Sequence, residues 1–178
     1  MNLIVLCGRK QSGKDTTADF ICEYFKNKQQ LYRFALATAL KELISDITEI
    51  DLITLDHMKL SNDKIGNVTT RQFMINISNK ILKLCGSTFW LEITSQQFIN
   101  DNSINLVTDM RYSREFNYFT THYKPIIIKI IRSQNNDLNI VDEDDIDKIQ
   151  TNYIIYNDST LENLKVNIYS ILDKIDFI

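Results

Sequence analysis

Glycine is scarce in this 178-residue chain, at four copies, and the three cysteines, Cys7, Cys22 and Cys85, form no CxxC pair and have no histidine at ligand spacing. Neither a disulfide framework nor a zinc site is expected, and a reducing compartment fits best. Basic charge is also lacking: 20 Lys and Arg stand against 23 Asp and Glu, a net charge of -3. Extended nucleic-acid binding by phosphate neutralisation is thereby excluded from the expected functions, and any anion site must be local. No apolar run approaches the length of a membrane span, and residues 2–7 are too short for a signal-peptide core. No membrane partner and a cytoplasmic location are expected. The two histidines, His57 and His122, are isolated. What is present is 44% apolar and 24% charged residues, the balance of an ordinary globular chain with one sizeable core.

Residues 2–7 (NLIVLC) form a nearly continuous apolar run, which predicts a central strand covered on both faces. Residues 16–27 carry Ala18, Ile21, Cys22 and Phe25 at helical spacing. A second strand is predicted over 31–37 and a helix over 38–47, followed by a polar, weakly periodic stretch over 48–68 that reads as an excursion. Thr69 or Thr70 caps a predicted helix to Leu84, which Gly86 ends, and a further helix is predicted over 88–100. Residues 104–108 (INLVT) and 125–131 (PIIIKII) are buried-type strands ending in Asp109 and Arg132; residues 153–156 are a fifth strand, and 161–175 a closing helix. Alternating strands and helices predict a single α/β domain over 1–178, three layers with a mainly parallel five-stranded sheet, whose ligands sit at the carboxyl ends of strands. A helical substrate-binding excursion is expected over about 38–100 and a short lid over about 132–150.

The sharpest signal is GRKQSGKDT, with Gly8, four residues, then Gly13, Lys14, Asp15 and Thr16, placed after a strand and opening a helix. That is the context of a P-loop. Polyphosphate is held there by backbone N–H groups of the bend, here Arg9, Lys10, Gln11 and Ser12 between the two glycines, and by the positive end of the helix. The lysine reaches the terminal phosphates. The position that usually offers a hydroxyl to magnesium is Asp15, which takes the metal directly or through water, while Thr16 follows as a phosphate hydrogen-bond donor.

At GRKQSGKDTTADFI the chain resembles the phage-type deoxynucleoside monophosphate kinases, of the P-loop nucleoside monophosphate kinase fold. Residues 36–42 (LATALKE), 69–74 (TTRQFM), 89–92 (FWLE), 108–115 (TDMRYSRE) and 156–164 (YNDSTLENL) are similar to further blocks of that family, in the right order. The resemblance implies ATP and magnesium as cofactors and a deoxynucleoside monophosphate as the small-molecule substrate. It also implies a homodimer and, for a viral chain, the host cytoplasm. A second kinase reading is transfer to phosphomevalonate, because the animal-type enzyme for that step resembles this family around its own SGKD loop.

Phosphoryl transfer needs positive charge on the migrating group rather than a protein nucleophile. Only six arginines are present, and Arg111, Arg114 and Arg132 follow predicted strand ends. Lys14 and Arg111 are the expected transition-state charges, with Arg132 closing over the phosphates from the lid. Arg114 is either a substrate contact or a surface ion pair. Asp109 either positions magnesium or caps a helix. Lys41 and Arg71 are either grips for the acceptor phosphate or solvated helix charges, and Trp90 either packs on the acceptor base or belongs to the core. Asn157 and Asp158 either line the adenine pocket or form an Asx turn. Glu115 is read as pairing with an arginine to hold its loop. The resembled family commonly has a His followed by an acidic residue in the loop after its fourth core strand, where this chain has residues 139–142 (NIVD). A reading from another class is a nucleotide-binding regulatory or scaffolding protein without turnover, which Asp15, that missing histidine and the sparse arginines keep open.

Overall fold

The first apolar run becomes strand β1 (Asn2–Cys7), buried along its whole length, because neighbouring strands and layers of side chains cover it on every side. The computed structural model describes residues 1–133, 146, 149–175 and 177. The lid expected over 132–150 and the acidic run at 142–147 therefore lie largely outside the described residues. After β1 come α1 (Lys14–Phe25), β2 (Leu31–Phe34), α2 (Thr38–Thr48), α3 (Leu52–Ser61), β3 (Lys64–Ile65), β4 (Val68–Thr69) and α4 (Thr70–Cys85). The chain continues through α5 (Phe89–Gln96), β5 (Ile104–Met110), α6 (Ser113–His122), β6 (Ile126–Ile131), β7 (Tyr153–Tyr156) and α7 (Leu161–Leu172). These elements group into two units, residues 1–35 with 97–178, and residues 36–96.

In the first unit five strands join in the order β2-β5-β1-β6-β7, and every pair is parallel. This is the expected α/β sheet. The register aligns Ile4 with Leu106 and Ile126, and Arg33 with Leu106, on one face; Val5, Val107, Ile127 and Phe34 align on the other. Ala18, Ile21 and Phe25 of α1 and Leu164, Ile168 and Leu172 of α7 fill the first face together with Ile4, Leu6, Leu106 and Ile128. On the opposite face Phe34 meets Phe98 at a ring-centroid distance of 5.1 Å, and Phe98 meets Phe119 of α6 at 6.3 Å and Tyr123 at 5.6 Å. Three layers result. Between Val5 and Cys7 of β1 the partner strand β5 advances from Val107 to Met110, a bulge of one extra residue beside Asp109.

Two boundaries in this unit differ from the sequence expectation. Strand β2 stops at Phe34 rather than at residue 37. Helix α1 starts at Lys14, two residues before the expected start at 16, because Gly13 in a left-handed conformation turns the chain directly into it.

The second unit packs Ile44, Leu55 and Met74 of its first three helices together, with Leu40, Ile50, Ile65 and Phe73 around them. The polar stretch over 48–68 carries regular elements, α3, β3 and β4. Asp51 caps α3, its carboxylate accepting from the N–H groups of Ile53 and Thr54 at 3.0 Å each, and β3 and β4 pair antiparallel. Apolar periodicity fails there because Leu55 is the buried residue of α3, whereas Ile53 and Leu60 are each 75% exposed. Thr69 caps α4 as expected, accepting from the Gln72 N–H at 3.2 Å. Helix α5 ends at Gln96, short of residue 100. Among the described residues no helix is long and apolar enough to cross a membrane.

Candidate functional site

The loop over residues 8–13 leaves the carboxyl end of β1 and is wedged from below. A Cβ on Gly8 would stand 2.4 Å from the Ile130 carbonyl oxygen, and one on Gly13 would stand 2.3 Å from Asn157 Nδ2. Gly13 also has φ near +102°, which side chains rarely tolerate. The Ser12 N–H donates to the Arg9 carbonyl at 3.2 Å, and Asn157 Nδ2 donates to the Ser12 carbonyl at 2.9 Å. The Asn157 N–H itself donates to the Ile131 carbonyl at 2.7 Å, which fastens the residue after β7 to the end of β6. Sheet edge and loop thus hold each other.

Lys14, the first residue of α1, is 7% exposed, and its Nζ donates to the Gly8 and Arg9 carbonyls at 2.8 Å each. Gly13 ends the loop without a capping side chain among the described residues, so the first N–H groups of α1 keep the anion-binding character of a helix start. The Gly13 carbonyl accepts from both the N–H and the hydroxyl of Thr17 at 2.9 Å. Ser12 lies under the loop, 1% exposed, with its hydroxyl lacking a partner among the described residues. Arg9, Lys10 and Thr16 are half-buried around the same bend, and Gln11 is exposed at its tip with φ near +62°.

All strands of the sheet run parallel, so the chain leaving β1, β5, β6 and β7 emerges on one edge. Asp109, Arg111, Arg114, Arg132, Asn157 and Asp158 share that edge with the loop. Arg111 is half-buried just beyond β5, and its N–H donates to Glu115 Oε2 at 2.6 Å; the Tyr112 N–H donates to the same oxygen at 3.1 Å. Glu115 therefore binds backbone, not an arginine side chain as expected. Burial pushes its carboxyl up to about 7, with Asp109 adding to the rise and the two N–H groups and Arg114 opposing it. Arg114 itself is exposed and stands 4.5 Å over the Tyr112 ring.

Asp158 and Asp15 each have a partner within the protein. The Asp158 carboxylate accepts from the N–H of Ser133 at 2.7 Å and from its hydroxyl at 2.6 Å, which with nearby Arg132 lowers its pKa. Helix α7 is capped by Thr160, accepting from the Asn163 N–H at 3.2 Å, so neither Asn157 nor Asp158 is its cap. The Asp15 carboxylate, expected at the metal, meets Arg33 of β2 at 3.1 Å with its own side chain 89% exposed. Arg33 also holds Asp19 at 2.7 Å. Among the described residues no three His, Cys, Asp or Glu side chains cluster as a metal site.

In the second unit Lys41 pairs with Asp56 at 2.8 Å, and Trp90 Nε1 donates to Ser78 at 2.9 Å. Arg71, in the first turn of α4, is half-buried and without an ion-pair partner among the described residues.

Two residues escaped the sequence reading, Arg33 and Lys129, while Asn157, expected at the adenine pocket or in an Asx turn, holds the Ser12 carbonyl. Lys129 is 8% exposed in the middle of β6, its Nζ donating to the Ile146 carbonyl at 2.9 Å. A lysine inside the otherwise apolar PIIIKII run was the available signal for Lys129. Cys7, its register partner, is buried with its thiol pushed up to about 12, despite the opposing charges of Lys129 and Lys14. It is a packing residue, not a nucleophile.

A family model described as phosphomevalonate kinase matches residues 6–125, about two-thirds of the chain. The match is to the second kinase reading rather than to the phage-type family. Among solved structures, the crystal structure of TT1252 from Thermus thermophilus aligns over 98% of both chains at 12% identity and a TM-score of 0.44. A search of curated proteins finds no match.

Proposed function

Because the chain belongs to the phosphomevalonate kinase family, we propose that it transfers the γ-phosphoryl group of ATP to a phosphomonoester, giving ADP and a diphosphate. The observation that carries this reading is the buried Lys14 ammonium, held at 2.8 Å by two carbonyls of the loop it follows. Those carbonyls tether the charge at the rim until phosphate oxygens, which bind an ammonium more strongly than neutral carbonyls do, take their place. An acceptor phosphate oxygen then bonds to the γ-phosphorus as the bond to ADP breaks. Little covalent chemistry falls to the protein, so Lys14, Arg111 and the loop N–H groups act by placing positive charge where negative charge spreads. Arg132, at the end of β6, supports the same phosphates.

Magnesium suits such a site because its hard oxygen ligands are chiefly the phosphates themselves, whose charge it neutralises when bound. Asp109 and Asp15 are the carboxylates that would hold it, Asp15 from an exposed side chain that also meets Arg33 at 3.1 Å.

Phosphomevalonate is the acceptor that the family favours. A deoxynucleoside monophosphate is the second reading, carried by the TTRQFM and TDMRYSRE blocks. Both present one phosphate to a cation, and Arg71 is the freest candidate for it in the second unit; Lys41 would first have to leave Asp56. The test is a coupled ADP-release assay with ATP and magnesium against phosphomevalonate and a panel of nucleoside monophosphates. Turnover with one acceptor class, falling about 10²–10³-fold in Lys14→Ala, is expected. Tight ATP binding with no turnover on any acceptor would favour a non-catalytic nucleotide-binding protein.

A further inference from the structure

Glu115 has no part in the transfer described above, yet it is the one buried carboxylate among the described residues, at 8% exposure. Taking a carboxylate out of water is costly unless strong hydrogen bonds compensate. An exposed Ser, Thr or Asp before α6 would satisfy that helix start without the cost. The site of the compensation is therefore informative. Glu115 Oε2 accepts from the N–H of Arg111 at 2.6 Å and from the N–H of Tyr112 at 3.1 Å, the two peptide groups on either side of the Arg111 Cα. Upstream, the β5 bulge alters the pairing beside Asp109; downstream, α6 begins at Ser113. Arg111 thus sits in a short link whose backbone is pinned at both of its peptide bonds.

We propose that Glu115 is the positioning residue for Arg111, clamping the backbone around its Cα so that the guanidinium is presented at the phosphate edge of the sheet. The proposal rests on the kinase reading for the role of Arg111, and on the geometry alone for the clamp. Two charged groups face the Glu115 carboxylate: Asp109 at the end of β5 disfavours its ionised form, and Arg114 on α6 favours it.

The experiment compares the full-length wild-type chain with Glu115→Gln, which keeps an acceptor oxygen without charge, and Glu115→Ala, which removes both. Turnover in Glu115→Ala should fall about 10²-fold through misplacement of Arg111, with KM for ATP nearly unchanged and Glu115→Gln in between. Unchanged kcat in both variants, or equal losses in kcat and ATP affinity, would overturn the proposal. Amide NMR provides a readout that does not need turnover: the Arg111 and Tyr112 N–H resonances should both move in Glu115→Ala, and by less in Glu115→Gln, as their shared acceptor is lost or weakened. Unmoved amides overturn the clamp. Moved amides, with a wild-type chain that turns over no acceptor, would support the clamp and overturn the kinase reading instead.

Discussion

Asn157 and Lys14 act on the loop from opposite sides. The asparagine amide holds the Ser12 carbonyl from below at 2.9 Å, and the lysine ammonium draws the Gly8 and Arg9 carbonyls together from the helix side. Replacing Asn157 with Ala leaves that carbonyl without its buried donor, which costs about 1–3 kcal/mol. Thermal unfolding should report that loss, and ATP titration should show weaker binding with a smaller change in kcat. Glu115 makes a prediction of opposite sense for stability. Its native pKa, about 7, lies above the carboxyl reference of 4.5, so between those values the folded chain binds the extra proton. This contribution is fully present below pH 4.5 and is lost as pH rises through 7; a shift of that size corresponds to about 3 kcal/mol. Glu115→Gln should flatten this part of the stability profile measured by denaturant unfolding across pH 5–8. A wild-type profile that does not fall in that window would contradict the assignment.

At the scale of elements, caps and bound side chains set the ends that apolar spacing leaves undefined. Thr160 caps α7, whose Leu164, Ile168 and Leu172 close one face of the sheet. Thr160→Ala should cost about 1 kcal/mol in a urea titration, with catalysis untouched because, among the described residues, the hydroxyl meets only the Asn163 N–H. Helix α5 shows why a boundary was misread. The apolar residues continue past Gln96, but the Asn105 side chain both accepts from the Ile99 N–H and donates to its carbonyl, at 2.9 Å each, and so removes Ile99 from a helix. Nothing at position 99 signals this; the cause sits on a strand. Likewise α3 shows little periodicity because one residue, Leu55, carries its burial. Helices with several inward positions, such as α1 and α7, were legible for the converse reason.

For the whole molecule, the layered sheet was readable because buried parallel strands are written as mainly apolar runs, and β1, β5 and β6 are such runs, interrupted at Asn105 and Lys129 among others. Placing the loop, Asp109, Arg111 and Arg132 at one edge followed from parallel direction alone. Long-range partners were not readable. Neither the Arg33 pairing with Asp15 nor the Asn157 brace, separated from Ser12 by 145 positions, leaves a local pattern. The acceptor class was least legible, since its candidate residues lie in the second unit, where Lys41 and Trp90 already have partners.

The central claim is that the phosphoryl group passes to another phosphate rather than to water. Phosphorus NMR of a reaction with ATP, magnesium and phosphomevalonate or a nucleoside monophosphate tests it most directly. The account predicts a new diphosphate signal rising in step with ADP, absent with Lys14→Ala. Accumulation of inorganic phosphate with no new diphosphate, at the same rate with and without acceptor, would contradict it.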